Sequence, residues 1–286
     1  MGSLHGHLVP GSMFIMLSVW WFIGEILQKT RPNATACTNR TRGKQRSTEI
    51  PSLWYFCPCA RLAKFPAEPL IKVVFAVLGI LGELPGSNAT SLFDSNGELV
   101  PSHVDNYAHS MMYGFFGLTG VVDLVIWYNV LPLPPKFEYL VFSLAFWIEG
   151  FLFFFHLDGR DELNVRLHTI LYIIIFVTAA VFLSAVFSDQ FIPFMGFLKA
   201  YLISLQGSWF FQTGFVLFGP SPWKNAHSNV EFLGIVFAFH ALVLFIVHLT
   251  GHIICYHCYI KKRLMDEGLP EDSSGDDTEL MLLEQQ

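Results

Sequence analysis

The chain has 286 residues, of which 53% are hydrophobic, 16% aromatic and only 14% charged, with a net charge of −6. A water-facing domain usually carries about 25% charged residues, so the composition excludes a soluble globular protein. No basic patch with interleaved aromatics is present, so no nucleic-acid partner is expected.

Seven apolar segments lie at about residues 11–27, 70–84, 107–130, 137–156, 166–187, 197–218 and 230–256. Each approaches or exceeds the roughly 17–25 residues that cross about 30 Å of hydrocarbon. The predicted fold is therefore all-α, a polytopic membrane bundle of about seven transmembrane helices in contact with the lipid bilayer. The chain divides into an N-terminus of residues 1–10, a membrane domain of residues 11–256 with a basic loop at 28–69, and an acidic tail at 257–286. No Lys or Arg precedes Lys29, and a secretory signal would open with a positive n-region. The first segment accordingly reads as a retained span.

Orientation follows from the distribution of Lys and Arg. With the N-terminus outside, one face receives Lys29, Arg31, Arg40, Arg42, Lys44, Arg46, Arg61, Lys64, Lys72, Lys136, Lys199, Lys261, Lys262 and Arg263. The other receives only Arg160, Arg166 and Lys224. This places the N-terminus in the lumen or outside the cell and the C-terminus in the cytosol. Asn88-Ala-Thr then becomes the glycosylation candidate on the lumenal side. All five cysteines fall on the reducing side, and Cys57, Cys59, Cys255 and Cys258 read as acylation candidates. Leu282-Leu283 follows a run of acids, in the manner of a sorting signal for cytosolic adaptor proteins.

The ionisable residues that are out of place in hydrocarbon converge in depth. His7 precedes the first segment, Glu83 closes the second, His109 opens the third, Glu149 and His156 close the fourth, and His168 opens the fifth. Asp158 lies in the turn between them, Gln206 and Gln212 lie in the sixth segment, and His240 lies about ten residues into the seventh. Intramembrane ionisable groups mark functional sites by default. Glu149 and His156 are seven apart and share a helix face, and His109, Met112, Phe116, Gly120 and Asp123 form one stripe. Asp123 has no partner assigned by sequence.

Three readings of this lumenal group stay open. The polar side chains fix helix packing, or they hold a divalent metal such as zinc, or they relay protons. In the metal reading His7, His109, His156, His168 and His240 are candidate ligands and Glu149 is a base or a ligand, with Glu83, Asp158, Gln206 and Gln212 in support.

Several of these residues stand in a pattern that resembles the transmembrane protein 45 family, of the domain of unknown function 716 type. They are Gly6-His7-x-x-Pro10-Gly11, Gly82-Glu83, His109-x-x-Met112-Tyr113, Glu149 followed by His156, Gly159-Arg160, His168 and the run Leu205-Gln206-Gly207-Ser208-Trp209-Phe210-Phe211-Gln212. His240 falls where that family has its last intramembrane histidine. Asp158 departs from the pattern, since relatives often carry a second histidine there. The resemblance implies a seven-helix protein of trans-Golgi network, endosome and lysosome membranes, with the plasma membrane as a further destination. It also implies a role in trafficking and innate immunity, and no established reaction. The leading expectation is a multi-pass endomembrane protein that acts through partners. The alternative is a membrane-embedded metal-dependent enzyme, a hydrolase or an oxidoreductase, with a lumenal His/Glu site.

Overall fold

The computed structural model describes residues 3–30, 65–157 and 159–267. Asp158, Cys57, Cys59, Leu282, Leu283, most of the basic loop and most of the acidic tail lie outside the described residues. The described residues form seven α-helices: α1 (Leu4–Thr30), α2 (Ala67–Glu83), α3 (Pro101–Trp127), α4 (Phe137–Phe155), α5 (Glu162–Phe187), α6 (Ile192–Phe218) and α7 (His227–Glu267). A single 3-10 turn, Asp189–Phe191, leads into α6.

Five of the helices are long and apolar enough to cross a membrane: α1 over Leu4–Ile26, α3, α4, α5, and α7 over His227–Cys258. The chain is an integral multi-pass membrane protein. α2 is shorter, at 17 residues. α6 is long enough, but Lys199, Ser204, Gln206, Ser208 and Gln212 dilute its apolar character. Its position explains that composition. α6 packs against α1, α5 and α7, so much of its surface meets protein rather than acyl chains.

All the helices but α4 start earlier than the apolar segments do. Pro101 occupies the first turn of α3, where its missing N–H costs nothing. That start draws His103, Asp105 and His109 into the helix, although His103 reads as a loop residue in the sequence. α1 likewise begins at Leu4 and carries His7 at the end of its first turn.

Heptad spacing decides what each helix buries. In α1 the buried positions His7, Gly11, Phe14, Ser18, Trp21 and Glu25 alternate by four and three. In α4, Phe142, Phe146, Glu149 and Phe153 do the same. These faces meet in an aromatic core. The rings of Phe146 and Phe182 stack at 5.9 Å, Phe116 sits edge-on to Phe146 at 5.2 Å, and Phe14 stacks on Phe210 at 5.8 Å.

Small residues set the closest approaches. Gly117 in α3 lies against Ala76 of α2, where an added Cβ would come within 2.6 Å. Gly11 of α1 and Gly207 of α6 face one another backbone to backbone: a Cβ on either would meet the other's carbonyl at 3.1 or 2.9 Å. This pairing joins two glycines of the family pattern that are far apart in sequence.

Candidate functional site

The end of the bundle at which α1 begins is where the polar residues gather. His7 of α1 and His168 of α5 lie with ring centroids 5.7 Å apart. His168 and His156 are 6.0 Å apart, and so are His156 and His109 of α3. Four imidazoles from four parts of the chain thus form a continuous row. Phe153 stacks on His168 at 6.1 Å and forms one apolar flank of that row.

Each ring is oriented through Nδ1. His7 and His168 donate to backbone carbonyls one turn earlier, Ser3 at 2.9 Å and Asn164 at 2.9 Å. His109 pairs with Glu83 Oε1 at 3.1 Å, and His156 with Asp105 Oδ1 at 3.1 Å. Glu83 is also held by Asn106 Nδ2, which donates to its other oxygen at 2.8 Å. Arg160 donates to the His156 carbonyl at 2.7 Å, reaches Asp105 at 3.9 Å and contacts His156 Nε2.

Glu149 lies about two turns deeper on α4, buried. Both of its oxygens accept from Gln206 Nε2 at 3.0 Å, while Gln206 Oε1 is buried with no partner. His240 does not join the row. It pairs with Ser208 at 3.1 Å and packs edge-on to Trp209 at 5.6 Å, so it ties α7 to α6. Gln212 is half-buried and makes no hydrogen bond to the row. Among the described residues, no group of three or more His, Cys, Asp or Glu side chains is placed to hold a metal ion.

The loop between α2 and α3 covers this end. Asp94 accepts from the backbone N–H groups of Glu98 at 3.0 Å and Asn96 at 2.8 Å, and these bonds hold its carboxyl below the usual range. His103 Nδ1 meets the Ser91 carbonyl at 2.7 Å and anchors the loop to α3. Asn88 in this loop is exposed, with a positive φ of 56°.

The opposite end holds a second buried polar group. Glu68 accepts from the indole N–H groups of Trp20 and Trp21, at 2.8 and 2.9 Å. Lys72 reaches Glu68 at 2.8 Å and Asp123 at 3.0 Å, which supplies the partner that sequence did not assign. The Lys72 ammonium also lies 5.0 Å from the Phe142 ring centroid. Near this end His248 and His252 pack edge-on to Phe22, at 5.3 and 5.0 Å. Cys255 and Cys258 are free thiols on the same helix.

Between the two polar ends runs a cavity of about 400 Å³. Its wall is supplied by α1, α2, α3, α4 and α6, with Glu83 and His109 towards one end, Glu68 and Lys72 towards the other, and Glu149 in between. Sequence reading missed it, because depth along a helix does not reveal a gap between helices.

The sequence model of a family described as of unknown function (DUF716) matches residues 135–253. That stretch contains α4, α5, α6 and most of α7, and with them Glu149, His156, His168, Gln206 and His240. The chain is also similar to human transmembrane epididymal protein 1, at 24% identity over 216 residues, covering 70% of this chain and 76% of that protein. Over residues 135–253, the helices that carry most of its buried polar residues, this chain matches the DUF716 family.

Proposed function

We propose that the chain is a seven-span endomembrane protein, with its N-terminus lumenal and its C-terminus cytosolic, that acts in trafficking or innate defence through protein partners rather than by catalysis. The observation that carries the non-catalytic part is where the polar bonds go. Glu83–His109 joins α2 to α3, Asp105 joins α3 to the end of α4 at His156, Glu149–Gln206 joins α4 to α6, and Ser208–His240 joins α6 to α7. Each bond closes an interface between two helices. Such bonds stabilise membrane bundles by about 0.6–2 kcal/mol apiece.

One observation favours a second reading, a metal-dependent hydrolase or oxidoreductase. All four imidazoles of the row spend Nδ1 on a partner, the arrangement that orients ligating histidines elsewhere. Elemental analysis of detergent-purified protein separates the two. The expected result is no stoichiometric metal and a melting temperature unmoved by chelator. Stoichiometric zinc that disappears in the double variant His156→Ala/His168→Ala would establish the second reading and overturn the first.

Two further outcomes test the topology and the route. Asn88→Gln should remove a mobility shift sensitive to N-glycosidase if the α2–α3 loop is lumenal; a wild-type chain without such a shift removes that support for the orientation. Replacing Leu282 and Leu283 by Ala should raise the surface fraction several-fold, measured by surface biotinylation. An unchanged distribution would show that this pair is not the sorting signal.

A further inference from the structure

We propose that the intramembrane cavity binds the chain of a neutral monoacyl lipid, with the lipid's hydroxyl head at His109 and entry sideways between α1 and α2. Shape is the first argument. Glu68 and Glu83 mark the two ends and lie fifteen positions apart on α2, a rise of ~22 Å. One leaflet of hydrocarbon is about 15 Å deep, so the cavity extends past the bilayer midplane. A volume of 400 Å³ drawn out over ~22 Å is an elongated space, the shape of an extended chain. Its middle is lined by flexible and flat apolar side chains, Met13, Phe14, Leu17, Phe75, Met112 and Phe116.

Access is the second argument. α1 packs on α6 and α7, and α2 packs on α3, but among the described residues no Cα of α1 comes within 8 Å of one in α2, and the two helices meet through the side chains of Trp20, Trp21 and Glu68. Met16 of α1 and Ile71 of α2 both line the cavity and are more than half exposed. In a membrane those exposed atoms meet acyl chains, so the gap opens onto hydrocarbon and not onto water. The gap is bounded at one end by the Trp20 and Trp21 bonds to Glu68, which favours entry above them.

Charge selects the head group. The lining holds three carboxylates, Glu68, Glu83 and Glu149, and one ammonium, Lys72, already bound to Glu68 and Asp123. An anionic head would face Glu83 at one end, or compete with two carboxylates for Lys72 at the other. His109 offers a neutral alternative. Its Nδ1 is committed to Glu83, which leaves Nε2 for a ligand. A hydroxyl both donates and accepts, so it satisfies Nε2 whether or not that nitrogen carries a proton.

The test uses the full-length protein in lipid nanodiscs and a monoacylglycerol carrying a diazirine and an alkyne on its chain. After irradiation, adducts are mapped by mass spectrometry. The expected adducts fall on peptides carrying Met13, Leu17 and Phe116, and monooleoylglycerol competes for them at least fivefold better than oleate. Leu17→Trp, which fills the cavity, should lower the yield at least fivefold, and Met13→Trp serves if that variant does not fold. Val77→Trp, on the exposed face of α2 outside the lining, should leave the yield unchanged. Adducts confined to outward faces such as that of α7 would overturn the site. Stronger competition by oleate would overturn the neutral head.

Discussion

Replacing Lys72 by Met should destabilise the detergent-solubilised protein by about 3–5 kcal/mol, the cost of removing one partner from a buried ion pair. Lys72 Nζ is the shared partner of Glu68, at 2.8 Å, and Asp123, at 3.0 Å, from two different helices. Glu68 would keep the two indole N–H groups of Trp20 and Trp21. Asp123, 1% exposed, would lose its cation outright, and an uncompensated charge there is expensive. Pairing Lys72→Met with Asp123→Asn should therefore recover most of the loss, because the amide carries no charge to compensate. Chemical unfolding followed by tryptophan fluorescence measures both, since Trp21 lies 5.8 Å from Nζ. A loss below about 1 kcal/mol, the value of an exposed pair, would show that water reaches this network.

Replacing Gly207 by Val should cost about 3 kcal/mol, the upper part of the usual range for overpacking a tight site. The Cβ at this position would lie 2.9 Å from the Gly11 carbonyl oxygen and 3.0 Å from the Ile15 backbone nitrogen. Backbone cannot rotate away as a side chain can, so α1 must move off α6. That displacement would also strain the Ser18 hydroxyl bond to the Ala200 carbonyl, now 2.7 Å. Gly207→Ala should be milder, and thermal unfolding should rank wild type, Ala and Val in that order. Equal melting temperatures for all three would show that α1 and α6 are not held at this crossing. Membrane helices associate largely through such close approach, because lipid supplies no hydrophobic drive between them.

Much of the site end is legible in sequence because depth can be counted from the ends of apolar segments. His7, His109, His156 and His168 sit at such ends and do form a row. Depth does not give azimuth, and His240 shows the difference: it lies on α7 but turns to Ser208 and Trp209. Asp105 is missed for another reason. Hydropathy starts the third segment at residue 107, whereas the helix begins at Pro101, and a proline ahead of an apolar run is the signal that extends it. Lys72 reads only as a cytosolic charge, yet it stands inside the run Leu70-Ile71-Lys72-Val73-Val74. Glu68 four residues earlier and the Trp20-Trp21 pair were the available hints. The cavity has no sequence signature, since it depends on which helix backbones stay apart.

The 41 residues of α7 rise ~60 Å, twice the ~30 Å of hydrocarbon they have to cross. A tilt of about 20° takes up only a few ångströms of that excess. With His227 near one boundary, roughly 25 Å of helix therefore projects beyond the other, ending at Glu267. The end of the helix at Glu267 is thereby carried clear of the head groups, at arm's length from the lipid.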